Sequence, residues 1–205
     1  GNTVQHILSK NEIDPWPNFI WNIRQVNKDT LWVGTQVGLY WYCPSKKTKG
    51  KPAYPGKPAA LDSFAITTQI TDSYGLTWMG LGSGKGVCYF DNNRKKFVHY
   101  PIGEKGYPLR YPIQIEEDSR GNLWFVSDAS PSLVRWTRAT NRFDVVQLPG
   151  SKKLSSLTAL EIESDSVFWV GSFANGLFRF NPLKNTIKIF GHDHGIGDSH
   201  VYSIY

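Results

Sequence analysis

Cysteine is scarce in this chain. Its 205 residues include only Cys43 and Cys88, too few for a disulfide scaffold and without the spacing of a metal site. Methionine occurs once. No run of about 18 apolar residues is present, so no helix long and apolar enough to cross a membrane is expected. Gly1 to Lys10 shows no charged-then-apolar leader. No segment carries helical periodicity of useful length. What is abundant points elsewhere. Hydrophobic residues make up 40% and aromatics 14%, alongside 19 Gly and 12 Pro, the mix of a turn-rich β protein. The formal net charge of +6 permits an acidic partner such as nucleic acid, a membrane surface or an anionic glycan, and does not choose among them.

An internal repeat decides the fold class. Leu31–Thr35, Thr77–Leu81, Leu123–Ser127 and Phe168–Ser172 align on tryptophans at 32, 78, 124 and 169, in steps of 46, 46 and 45. A second apolar run follows each after a short turn, at 38–42, 86–90, 133–136 and 176–180. A third follows in most copies, at 97–100, 143–146 and 187–190. Another precedes each tryptophan, at 21–26, 66–71, 113–117 and 157–162. All are aromatic or β-branched and bounded by Gly, Asn, Asp or Pro. Four short strands per period of roughly 45 residues is the arithmetic of a β-propeller blade. The near-continuous apolar character of the tryptophan strands fits sheets covered on both faces. Glycines at 34, 80 and 171 should let adjacent sheets approach closely, whereas Val126 holds that place in the third copy.

The expected architecture is all-β, a single segment over 1–205 with blades at about 18–57, 63–101, 111–149 and 155–191. Residues 1–9 are expected to supply the last strand of a preceding blade, and 200–205 the first strand of a following one. The array is therefore expected to be an arc of a larger propeller.

The copies share a first strand, an Asp/Gly turn, Leu-Trp-Val-Gly-Thr, a turn, Gly-Leu-Tyr, then Asn/Asp-Pro and an aromatic fourth strand. Gly195–Ile204 opens a further copy of the same pattern. This resembles the two-component regulator propeller repeat, over nearly the whole chain, and the resemblance implies that the larger propeller is of the seven-bladed type. The resemblance implies a non-catalytic, periplasmic sensor region of a hybrid two-component histidine kinase, the kinase lying outside this segment. It implies that the segment binds a ligand, a glycan among the classes such members sense, or relays signal through propeller contacts. It also implies the remaining blades of a parent protein as partners, with a homodimer open. It supplies no catalytic residues, cofactor or nucleic-acid partner. The departures are the Ser130-Pro131-Ser132 insert, the long connection from Pro44 to Pro58, and Val126.

Ligand candidates lie on the face where connections between blades and between second and third strands emerge. The first copy contributes Trp16, Asn18 and Gln36, and the second Ser63 and Lys85. Tyr107, Arg110, Tyr111 and Asp128 come from the third, and Ser155, Ser156 and Asn175 from the fourth. Aromatics beside Arg, Lys and Asn suit a sugar, by stacking and hydrogen bonding. His192, His194 and His200, with Asp193 and Asp198, are the densest set of potential metal ligands. A His-x-His pair on extended chain projects both rings to one side, but no third ligand has a recognised spacing, and a His-rich solvated loop is favoured. Gly82-Ser83-Gly84-Lys85-Gly86 lacks phosphate-loop spacing. Glu116, Glu117, Asp118, Glu161 and Glu163 are expected in solvated or turn-capping roles rather than as a hydrolytic pair. A propeller lyase or hydrolase with a channel-mouth site is the competing enzymatic reading, and a purely structural interaction propeller the third. Basic residues gather between third and fourth strands: Lys46, Lys47, Lys49 and Lys51, then Arg94, Lys95 and Lys96, then Arg138 and Arg142, then Lys184. They form either a contact for an acidic surface or a rim that keeps edge strands soluble.

Overall fold

The computed structural model describes residues 19–128, 130–150, 155–196 and 200–204. Trp16, Asn18 and the expected leading strand at 1–9 lie outside them. Blade one comprises β1 (Ile20–Asn27), β2 (Thr30–Thr35), β3 (Gly38–Cys43) and β4 (Thr48–Gly50). Blade two comprises β5 (Ile66–Thr71), β6 (Leu76–Leu81), β7 (Gly86–Asp91) and β8 (Lys96–Tyr100). Blade three comprises β9 (Pro112–Glu117), β10 (Leu123–Ser127), β11 (Ser132–Thr137) and β12 (Arg142–Gln147). Blade four comprises β13 (Leu157–Ser164), β14 (Val167–Ser172), β15 (Leu177–Asn181) and β16 (Thr186–Phe190). Each blade is an antiparallel meander with its strands hydrogen-bonded in chain order. The long connection after Pro44 contains the short β4, which the sequence pattern did not mark, because Thr48-Lys49-Gly50 has no apolar residue to announce a strand. The fold is all-β, with only short 3-10 turns beside the strands among the described residues.

Each ladder tryptophan sits on a second strand, opposite Arg24, Ile70, Glu116 or Glu161 of the first. First strands stand side by side: β1 packs on β5, β5 on β9 and β9 on β13, while no comparable contact joins β13 back to β1 among the described residues. The four blades therefore form an open arc. Side chains lace neighbouring first strands together. Asn22 Nδ2 donates to the Ile66 carbonyl at 2.7 Å, and Thr67 Oγ1 donates to that of Pro112. Gln114 bonds both the N–H and the C=O of Leu160, at 2.9 and 2.6 Å. Thr158 Oγ1 donates to the carbonyl of Val201, whose N–H donates to Ser172 O at 3.0 Å. Residues 200–204 thus run where a next first strand would stand, without themselves forming one.

The core consists of three slabs between the four sheets. Trp32, Leu61, Ile66 and Met79 fill the first junction. Trp78, Phe125, Trp136 and Phe143 fill the second. Trp124, Leu160, Phe168 and Phe180 fill the third. Gly80 shows why a glycine stands on the second strand: a Cβ there would lie 2.8 Å from Pro112 Cγ and from Thr67 Oγ1. The outer faces are bare by contrast. Phe19, Trp21 and Ile23 are exposed on blade one, and Phe173, Leu183 and Ile189 on blade four.

A carboxylate six residues before the tryptophan clips three of the four ladder indoles. Asp72 accepts from Trp78 Nε1 at 3.0 Å, Asp118 from Trp124 Nε1 at 2.9 Å and Glu163 from Trp169 Nε1 at 2.8 Å. Asp72 also accepts from the N–H groups of Tyr74 and Leu76, and Asp118 from those of Arg120 and Asn122. One short side chain therefore shapes the first hairpin turn and satisfies the buried indole donor. Glu117 serves its neighbour, accepting from Ser73 N and Oγ at 2.7 Å.

Arg138 departs from the expected solvated rim. Its Nη2 lies 2.7 Å from Asp72, whose side chain is fully buried, and 3.7 Å from Glu117. Its Nε donates to Gly121 O, and its guanidinium stacks 3.9 Å from the Tyr74 ring centroid. The residue ties blade three to blade two, because the planar fork can meet a carboxylate, a carbonyl and a ring at once.

Candidate functional site

The face chosen from the sequence holds one convergent group. Gly84 N donates to Arg110 O at 2.8 Å, which brings the β6–β7 turn against the segment leading into β9. Lys85 sits in that turn, its ammonium 4.5 Å over the Phe64 ring and its carbonyl 2.7 Å from His99 Nε2. The Tyr111 ring lies against Gly82, where an added Cβ would approach it to 3.3 Å. Arg110 is exposed and lines a cavity of about 320 Å³ with Ser130, Ser132 and Gln147. Lys85, Arg110 and Tyr111 are thus gathered at the junction of blades two and three. Asp128 is exposed at the end of β10.

Other expected contacts are placed differently. Tyr107 is buried in the second core slab, its ring edge-on to Phe125 and Phe143, so it offers no surface to a ligand. Two aromatic neighbours and the end of a loop draw the ring inward, and its hydroxyl is left without a partner. Burial pushes that phenol well above its ordinary range. Gln36 belongs to blade one, where its Oε1 accepts from Trp21 Nε1 at 2.8 Å. Asn175 accepts from Ser155 N at 2.6 Å, and Ser155 Oγ accepts from Ala174 N at 3.0 Å. Ser156 O accepts from Phe173 N at 2.9 Å. The blade-four candidates therefore stitch two loops together. Ser63 is exposed at the end of the 3-10 turn Ala59–Asp62.

The His-x-His pair does not lie on extended chain. His192–His194 forms a 3-10 turn, with the His194 ring against Phe190 and the His200 ring against Phe173. The aromatic neighbours turn the imidazoles into separate contacts. No group of three potential metal ligands occurs among the described residues.

The inner wall of the arc carries polar chemistry of which the sequence marked only Glu116 and Glu161, and Glu116 is half-buried there rather than solvated. Gln69 Nε2 donates to Asn22 Oδ1, while the buried Gln69 Oε1 has no partner. Arg24 Nε approaches Thr71 Oγ1 at 3.4 Å. Glu116 accepts from Gln114 Nε2 at 2.9 Å. Burial pushes the Glu116 carboxyl above its ordinary value, the Gln114 hydrogen bond opposes this, nearby Glu161 adds to it and Arg24 opposes it. A legible signal existed: Asn22 and Gln114 occupy the same register, opposite Gly34 and Val126.

A larger cavity lies on the opposite face, between blades one and two, near the turns joining third and fourth strands. Its volume is about 590 Å³, and Trp32, Trp41, Tyr54, Lys46, Lys51 and Lys95 help to line it. The lysines were legible as part of a basic rim, but the crevice they border was not.

No family model and no curated protein matches the sequence. Solved structures do match its fold. The extracellular domain of a candidate hybrid two-component system, BT4673 from B. thetaiotaomicron, aligns with a TM-score of 0.68 at 18% identity, over 90% of this chain and 23% of that one. The corresponding domain of BT3049 from the same organism gives 0.65 at 17%, over 91% and 24%. Virginiamycin B lyase from Staphylococcus aureus gives 0.63 at 16%, over 86% and 56%. The chain has the β-propeller fold. It spans about a quarter of the two extracellular domains and just over half of the lyase. At these identities the likeness is one of fold, and the repeat-family resemblance rests on the motif itself. No helix among the described residues is long and apolar enough to cross a membrane.

Proposed function

We propose that this propeller arc is a non-catalytic, extracytoplasmic sensor segment of a two-component signalling receptor, binding a ligand at the junction of blades two and three or relaying signal through blade contacts. The observation that carries the reading is the likeness, over nine-tenths of the chain, to extracellular domains of candidate hybrid two-component systems, joined to the repeat motif. The side chains agree with it. Asp72, Asp118, Glu117 and Glu163 are spent on indoles, turns and an arginine. The group at Lys85, Arg110 and Tyr111 pairs cations with an aromatic face, suited to a polar ring such as a sugar. The uncovered apolar faces of blades one and four suit further blades of a parent protein.

The likeness to a lyase and the raised Glu116 beside Glu161 favour a second reading, in which the inner wall performs acid–base chemistry. Calorimetric titration with a panel of neutral and acidic oligosaccharides, followed by mass spectrometry of the recovered sugar, separates the two. Binding with the sugar returned intact, and weakened by Arg110→Ala, supports sensing. Cleavage products that vanish in Glu116→Gln establish the enzyme. No heat with any sugar overturns sugar sensing by this segment.

A further inference from the structure

The three blade junctions are repeats of one arrangement, and the first lacks a part. At the second junction the indole of Trp78 donates to Asp72, and Arg138 closes over that carboxylate. At the third, Trp124 donates to Asp118 and Arg135 lies over its ring at 5.7 Å, leaving a cavity of only about 110 Å³. At the first, the residue six before Trp32 is Val26. Its side chain packs on the junction core and borders the crevice. No described residue accepts from the Trp32 indole N–H, which is not among the buried unpartnered atoms and therefore opens to solvent at the crevice. Around it stand Lys46, Lys51 and Lys95, and no Asp or Glu lines the crevice. The carboxylate of Asp29, on the neighbouring turn, is already taken, accepting from Cys43 Sγ and Ser45 N at 3.0 and 3.1 Å. Lys51 uses one donor on Asp62 O at 2.7 Å and keeps two.

We infer that the crevice between blades one and two binds a small organic carboxylate, whose oxygen takes the place that Asp72 and Asp118 fill at the other junctions. The repeat geometry directs an indole N–H at that place, and three ammonium groups bring charge to a crevice whose lining holds no acid, the neighbouring Asp29 carboxylate attracting Lys46 from the turn beside it. A charge-assisted bond from a partly desolvated donor is stronger than a neutral one. Trp41 and half-exposed Tyr54 give the body of the ligand flat apolar walls. A cavity of about 590 Å³ admits a ring with its substituents. The inference does not rest on the sensing site proposed above, since Lys85, Arg110 and Tyr111 belong to the other face.

The test uses the whole chain at low ionic strength, with D-glucuronate and benzoate as probes and glucose and inorganic sulfate as controls. Binding is read by calorimetry and by quenching of tryptophan fluorescence. Both carboxylates should bind with a dissociation constant on the order of 0.1–1 mM. Trp32→Phe keeps the ring and removes the N–H, and should weaken binding about tenfold. Val26→Asp installs the missing internal carboxylate. It should abolish binding while keeping or raising Tm, an outcome that mere loss of packing does not produce. Should Val26→Asp fail to fold, Trp32→Phe with Lys95→Gln decides the matter. Sulfate or glucose binding as tightly as the carboxylates overturns the inference, and so does unchanged carboxylate binding in Trp32→Phe.

Discussion

Arg138→Ala is the sharpest test of how the blades are held together. Asp72 has a fully buried side chain, and Arg138 keeps 18% of its side chain exposed with its Nη2 at 2.7 Å. Removing one partner of a buried ion pair costs about 3–5 kcal/mol, because the remaining charge is stranded. Three N–H donors remain on Asp72, from Trp78, Tyr74 and Leu76, which places the loss at the low end. The variant also forfeits the stack on Tyr74 and the bond to Gly121 O. A loss of about 3 kcal/mol corresponds to a fall in Tm of about 6–12 °C for a domain of this size. Arg120→Ala is the control: that guanidinium is 65% exposed and 3.6 Å from Asp165, so it should cost less than about 1 kcal/mol. Both are read by urea unfolding and by thermal melts. A double-mutant cycle with Asp72→Asn should show a coupling of at least about 1 kcal/mol. If Arg138→Ala costs no more than Arg120→Ala, or the cycle closes without coupling, Arg138 is a rim charge after all and the staple does not exist.

Glu116→Gln tests the inner wall. The folded state raises this carboxyl above its ordinary 4.5. It therefore binds its proton more tightly when folded, and the stability it lends is complete below about 4.5 and lost as pH rises through the folded value. Melting curves should coincide near pH 4 and show the glutamine variant as the more stable at pH 7, whereas equal Tm at both would refute the assignment. Gly80→Val forces atoms into the 2.8 Å approach to Pro112 and Thr67 and should cost about 1–3 kcal/mol by overpacking, measured by urea titration; the native Val126 at the same register of blade three shows that the cost belongs to this junction. Asp118→Ala strips acceptors from Trp124 Nε1 and from two backbone N–H groups and should cost about 2–3 kcal/mol. In that variant, hydrogen exchange should rise first in the β9–β10 turn.

The sequence carried the blades because their signal is repeated. Four tryptophans at nearly equal steps, each followed by a glycine-bounded aromatic run, cannot be explained by one local preference. The glycines at 34, 80 and 171 also announced close contact, and Gly80 and Gly171 indeed abut Pro112 and Val201 of the next first-strand position. Features set by a single copy were harder to read. Arg138 looked like one more rim cation, and only the fold brings it to Asp72, distant in sequence. Tyr107 had the composition of a ligand-stacking residue, but aromatic rings are as good at filling a slab, and Phe125 and Phe143 capture it. The His192–His194 pair depended on extended chain, and the 3-10 turn removes that premise.

A repeat protein hides its specific chemistry in what it fails to repeat. The clip between carboxylate and indole recurs at Asp72, Asp118 and Glu163, so it belongs to the architecture of the blade and can be assigned no ligand. Where it is broken, at Val26, the junction retains a donor, gains lysines and opens from about 110 to about 590 Å³. An evolved defect in packing would ordinarily be filled by apolar side chains, since an unfilled junction lowers stability. Here Val26 accounts for the apolar share alone, and although Lys51 meets the Asp62 carbonyl and the Tyr40 ring and Lys95 the Phe90 ring, no carboxylate lines the crevice beside them. A local rule broken without compensation in the fold is where function is to be sought, and Val26→Asp asks that question directly, since it repairs the architecture and removes the site in one change.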